Sequence, residues 1–210
     1  MSVKRASKPS DSIPAVLGFR VKSGWATAVL VGGSPSTPSL LYRGRIELSD
    51  PGIPPSTQPY HAGFGTLQKN ATVLRRLTTL VYRCTDRSMA GLLRHCRTQG
   101  HVPGAAALVV GSTIEPESIG NEHVRAHAYE AQLFRTALER AVRRRRLAYR
   151  VIRERDLAGM AAVELQRAGE EINDVVAGMG RAVGKPWRSD QKTAFIAAWV
   201  VLATRQHAAA

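Results

Sequence analysis

The 210-residue sequence predicts an α/β protein. Its architecture should be one mixed sheet, antiparallel at its start and parallel in its continuation, covered by helices. Three observations lead there. Apolar stretches at 15–31 and 40–48 open the chain, joined by the Gly/Ser/Pro-rich loop GGSPSTPS. Two long helical patterns, 69–99 and 122–147, then alternate with short apolar runs at 105–111 and 148–154. After 154 the chain reads as helical, with a loop at 178–190 before a closing helix at 190–206.

Each element has its own reason. MSVKRASKPSDSIP is basic and Ser/Pro-rich with no apolar core behind it, so residues 1–13 are expected to be a disordered tail, followed by one domain over 14–207. Residues 15–31 read as the first strand and LLYRGRIEL (40–48) as the second. The proline-rich stretch 49–65 is irregular, with room for a short third strand at an edge. Val73, Leu77, Leu80, Val81, Cys84, Leu92 and Leu93 return at helical spacing, and Gly100 is a natural stop. AAALVVG has the length and composition of a central buried strand. DQKTAFIAAWVVLATRQ is apolar on most sides and is expected to be buried.

Composition narrows the function classes. No apolar run approaches the ~18 residues of a membrane span, so a cytoplasmic protein is expected. Cys84 and Cys96 fall twelve residues apart in one helix, about 18 Å along its axis. That is beyond disulfide reach, so two reduced thiols are expected. The net charge is +14, and nine arginines face two glutamates between Arg135 and Arg155. Such a field attracts polyanions, nucleic acid first among them. A codon bias toward arginine and alanine would supply part of that charge without any ligand.

Four segments carry a family resemblance. LGFRVKSGWATAVLV (17–31) resembles a first strand in which an L-G-x-D-x-G pattern opens a hairpin. ALVVGSTIEPESIGNEHVRAHAYEAQLF resembles a later strand with its loop and helix. VIRERDLAGMAAVEL is similar to a D-E-R-L-T-T segment, and SDQKTAFIAAWVVL to a closing D-A-x-A-A-x-x-L helix. Together they resemble the ribonuclease H-like superfamily, and within it the RuvC-type and YqgF-type Holliday-junction resolvases. The resemblance implies a ribonuclease H-like mixed sheet, nucleic acid (DNA or RNA) as partner, no membrane, and a homodimer. It also implies two divalent cations, Mg²⁺ or Mn²⁺, held by carboxylates from strand one, a later strand and the last helix, because two hard cations about 4 Å apart need neutralising.

The sequence departs from that pattern at the acids. Arg20 stands where the strand-one aspartate is expected, and Arg153 replaces the Asp of D-E-R. In the closing helix the expected acid falls at Thr193 or Ala194, with Asp190 one turn earlier. Glu154 and Asp190 are then the candidate catalytic acids, with Glu115 as a third metal ligand. A different alignment would bring in Glu47 or Asp50. A guanidinium in place of an aspartate repels a metal in a low-dielectric pocket. The resemblance therefore points to a nucleic-acid-binding protein whose cleavage is lost or weak. An active nuclease with rearranged carboxylates, or a protein-interaction module, are the alternatives.

Each candidate has a plainer reading. Glu154 would serve in a surface ion pair, and Ser189 or Asp190 as a helix N-cap. Arg143, Arg144, Arg145 and Arg146 end a helix, where cations suit the dipole; with Arg153 and Arg155 they also read as a phosphate track. Arg20, Lys22 and Arg125 would floor a positive cleft if strand one meets the second helix. His123, His127 and Glu130 share one side of that helix, in a spacing able to hold a transition metal or to form a polar pocket. Trp187 and Trp199 read as core or loop anchors.

Overall fold

The computed structural model describes residues 15–63 and 65–207. The segment 1–13, expected to be a disordered tail, lies outside the described residues. Residues 15–31, read above as one strand, form a hairpin. Strand β1 (Ala15–Lys22) turns at Ser23-Gly24 into β2 (Trp25–Gly33), with Leu17 opposite Leu30 and Lys22 opposite Trp25. Gly24 makes the reversal at φ +81°, a conformation costly for any residue with a Cβ. Strand β3 (Pro38–Glu47) continues the antiparallel pairing on β2.

The stretch 49–65 holds a 3₁₀ turn at Pro54–Thr57 and β4 (His61–Gly63), which pairs with β5 (Thr66–Leu67). The small β4–β5 hairpin stands apart from the main sheet. Helix α1 (Ala71–Thr98) starts at Asn70, whose side chain accepts from the amides of Thr72 and Val73. Strand β6 (Pro103–Val110) lies parallel to β1, and β7 (Ala148–Arg153) lies parallel to β6. Helix α2 (Glu122–Arg144) links those two strands and ends three residues earlier than its pattern predicts, because Arg146 turns out of the helix at φ 57°. The predicted loop at 178–190 is shorter than expected. Helix α3 (Leu157–Leu165) is followed by α4 (Gly169–Val183), and Gly184 at φ +73° ends α4. Helix α5 (Ser189–His207) closes the chain.

The five-stranded sheet has the order β3-β2-β1-β6-β7, antiparallel on one side of β1 and parallel on the other. Its two faces bury different helices. Leu17, Phe19, Leu108 and Leu30 pack with Val81, Met89, Phe134 and Leu138 of α1 and α2. Val16, Val29, Val109 and Ile152 pack with Phe195, Trp199 and Leu202 of α5, and with α3 and α4. Trp199 is fully buried, and its Nε1 donates to the carbonyl of Pro35 at 2.8 Å, so it is the anchor its composition suggested. Cys84 and Cys96 are free, buried thiols, and burial pushes both pKa values up. Among the described residues no helix is long and apolar enough to cross a membrane.

Candidate functional site

Strand alternation decides where the first basic residues point. Side chains two apart share a face, so Val16, Gly18, Arg20 and Lys22 lie on the α5 side of β1. Gly18 is the close-approach point. A Cβ there would sit 2.1 Å from the carbonyl oxygen of Ala194, so only glycine lets α5 press onto β1. That contact carries the start of α5, and Asp190 with it, to the end of β1. The end of β7 arrives from the other side through β6.

The acids meet cations there. Arg20, 6% exposed, donates through Nε to Glu154 Oε1 at 3.1 Å and through Nη2 to Glu154 Oε2, a two-pronged pair. Its Nη1 donates to the carbonyl of Val21 at 3.0 Å. Lys22 Nζ lies 3.2 Å from Asp190 Oδ1. Strand one, the strand end and the last helix thus converge as the resemblance implied, but they deliver two ion pairs in place of a carboxylate cluster. Ser189 and Asp190 lie inside the first turn of α5, and Arg188 precedes it, its amide donating to Gln191 Oε1 at 2.9 Å. Glu115 stands in the loop after β6, where its carboxylate accepts from Gln132 Nε2 at 3.4 Å. Two cations matched by two anions leave no surplus negative charge for hard divalent ions, so this donor set does not fit an Mg²⁺ or Mn²⁺ pair.

Beside these pairs is a cavity of about 210 Å³ lined by Arg20, Lys22, Ala131 and Phe134. Strand one and the second helix do meet, and Arg20 and Lys22 line the cleft. Arg125 does not. Its guanidinium holds the loop before α2, donating to the carbonyls of Ile119 at 2.7 Å and Gly120 at 3.0 Å.

The arginine run is largely occupied within the chain. Arg144 and Arg145 both reach Asp86 of α1, at 2.7 and 3.3 Å. Arg143 reaches Glu139 at 3.1 Å and the Tyr149 hydroxyl at 2.7 Å. Arg153 pairs with Asp156, and Arg155 lies 3.7 Å from the same carboxylate. A different basic group was not singled out from the sequence. Arg181, Lys185, Arg188 and Lys192 line a concavity of about 710 Å³ around Trp187. Among the described residues none of the four makes an ion pair. Trp187 is fixed by donating to the carbonyl of Val176 at 2.9 Å, and Arg43 fixes the preceding loop through the carbonyls of Val183, Gly184 and Pro186. The GKPWR run was the available signal, and it read only as loop.

His123 and His127 come together as their spacing predicts, and a third imidazole joins them. The His61 ring of β4 lies with its centroid 4.6 Å from that of His127, tilted, and 5.3 Å from that of His123, edge-on. Glu130 is fully buried behind them, with Oε1 2.7 Å from His61 Nδ1. Burial pushes the Glu130 carboxyl up, while His61 and the Tyr60 amide pull it back. His61 carried no helical periodicity, and nothing in the sequence tied it to a residue 62 positions away.

The same architecture occurs in solved structures. Thermus thermophilus RuvC, free and in complex with Holliday junction substrate, superposes with a TM-score of 0.56 in both cases. The match covers 92% of this chain and 96% of RuvC at 14% identity. The fold is that of RuvC. It is the ribonuclease H-like fold of Holliday-junction resolvases, with the mixed sheet and covering helices the sequence predicts. The yeast mitochondrial Holliday junction resolvase Ydc2 is a looser likeness, at TM-score 0.43 and 9% identity over 93% of this chain and 83% of its own. No protein-family model matches the sequence, and no curated protein matches it. At 14% identity the likeness to RuvC is one of fold, and function must come from the side chains.

Proposed function

We propose that this chain is a nucleic-acid-binding protein of the RuvC-like fold that does not cut its ligand by a two-metal route. One observation carries the reading: Arg20 stands on β1 where a metal-binding acid is expected, and it and Lys22 pair with Glu154 and Asp190. The nucleic-acid half rests on the +14 charge and on the Arg181, Lys185, Arg188 and Lys192 concavity. Among the described residues no carboxylate pairs with its lysines and arginines, so phosphate oxygens are their natural partners. Lys192 shares the first turn of α5 with Asp190, which pairs with Lys22, and Arg188 immediately precedes that helix. Arg146 precedes β7 and Arg155 follows it, so they add basic charge at opposite ends of that strand.

The test is fluorescence anisotropy with labelled duplex, single-stranded and four-way-junction DNA and a hairpin RNA, over about 50 to 200 mM salt. Each endpoint is then run on a gel with Mg²⁺ or Mn²⁺. The reading expects saturable binding that weakens steeply with salt, unaffected by chelator, and no cut product. Metal-dependent product would overturn the non-cutting half and point to a rearranged carboxylate set. No binding at the lowest salt would overturn the nucleic-acid half and leave a protein partner for the basic surface.

A further inference from the structure

We propose that His61, His123 and His127 form a three-imidazole site for a divalent transition metal, zinc being the reference ion, with one coordination position open to a cavity of about 610 Å³. One nitrogen from each ring lies within 4.8 Å of the others. Three imidazoles bound to one zinc at about 2.0–2.1 Å stand about 3.3 Å apart in a tetrahedron. Closing to that geometry asks for a movement of about 1 Å, and the His127 side chain, 49% exposed, is free to make it. This site shares no residue with the Arg20 and Lys22 pairs, and it stands whether or not the chain binds nucleic acid.

Two further features separate the cluster from three histidines packed for structure. His61 holds its Nδ1 2.7 Å from Glu130 Oε1, and with that carboxylate ionised Nδ1 is the donor and the lone pair lies on Nε2. That Nε2 is buried and has no hydrogen-bond partner among the described residues. A buried lone pair backed by a carboxylate through the other ring nitrogen is the arrangement that orients histidine ligands toward zinc. Glu130, expected from sequence as a third ligand, is therefore an orienting group, and His61 is the third ligand.

Donor type sets the metal class. Three neutral imidazoles suit zinc and its first-row neighbours and suit Mg²⁺ poorly. Three protein ligands with an exposed fourth position is the pattern of sites that keep a water or take an anionic oxygen. His61 sits in the β4–β5 hairpin and the other two on α2, so the ion also clips the hairpin to the helix.

The experiment uses the full, untagged chain after dialysis against chelator. Zinc titration by calorimetry, metal content after desalting, and the visible spectrum of the Co²⁺-loaded protein are read together. The expected result is about one zinc per chain, a tetrahedral Co²⁺ spectrum, and a rise in unfolding midpoint on adding zinc. His127→Ala should weaken zinc binding at least about 100-fold, and Glu130→Gln about 10- to 100-fold. His127 is half exposed, so that variant tests the site even if His61→Ala fails to fold. The proposal is overturned if the wild type binds no stoichiometric zinc, or if His127→Ala binds it as tightly as the wild type does.

Discussion

Arg20 is buried while its partner is not, and this asymmetry sets the energetics of the pair. The guanidinium has lost its water and relies on Glu154 and the Val21 carbonyl. The Glu154 side chain keeps 45% of its exposure. Removing one partner of a fully buried pair costs about 3–5 kcal/mol, because the other charge is stranded. With Glu154 half in solvent, Glu154→Gln should cost about 1–2 kcal/mol, read as a lowered urea midpoint at unchanged slope. The double variant Arg20→Met with Glu154→Gln should recover most of that loss, since it buries no stranded charge. Equal stability of Glu154→Gln and wild type would mean that Arg20 does not depend on the pair. Arg20→Asp tests function at the same residue. It restores the acid of the resolvase pattern beside Glu154, and Mg²⁺-dependent nicking of a four-way junction by this variant alone would identify the position as a converted metal site.

At the scale of elements, the contact between α5 and β1 decides which residues meet. Gly18 has no Cβ, and one built there would collide with Ala194 O at 2.1 Å and Val29 Cγ2 at 2.9 Å. Neither neighbour is the loose end of a flexible chain. Gly18→Ala should therefore cost about 3 kcal/mol or more by overpacking, seen in thermal or urea unfolding. A loss below about 0.5 kcal/mol would mean that the helix seats more loosely than described. The α1–α2 pair is tied differently, through Asp86 to Arg144 and Arg145. Arg145 Nη2 also donates to the Asp86 carbonyl at 2.6 Å. These pairs are partly exposed, so Asp86→Asn should cost only about 1 kcal/mol. It would also free two arginines at the end of α2, and tighter low-salt binding to duplex DNA by this variant would show that this end reaches the ligand.

For the whole molecule, net charge is a weaker guide than which charges remain uncompensated. Several arginines along α2 and β7 are held in internal pairs, and phosphate oxygens would have to displace those partners. Among the described residues the four cations around Trp187 have no ion-pair partner to displace. If they supply about four phosphate contacts, the slope of log affinity against log salt is about −3.6, or roughly 150-fold between 50 and 200 mM. Lys185→Glu with Arg188→Glu should then lower affinity at least tenfold and reduce the slope by about 2. The same change at Arg143 and Arg144 should do less. An unchanged slope in the first variant would move the interface elsewhere.

Most of the strand and helix order was legible in the sequence because hydrophobic period and turn residues are local properties, although 15–31 read as one strand where the structure has the β1–β2 hairpin. The apolar closing helix needed no partner to be read. Nor did the presence of Arg20 where the resemblance expects an acid. Loop ends were less legible: GMGRAV reads as loop by its glycines, yet it stays in α4, where Gly180 makes room for Trp187. Partnership was not legible at all. That Arg20 takes Glu154, that Asp86 takes two arginines, and that His61 joins His123 and His127 are contacts across 58 to 134 residues or between a hairpin and a helix. Such contacts depend on how α5 seats on Gly18 and where β4 lands on α2. Sequence by itself determined which residues are charged, apolar or able to bind a metal, because those are properties of single side chains and their near neighbours. Only the tertiary structure decided which of them are neutralised and which are left to bind something else, because a charge is satisfied by what lies within a few ångströms in space.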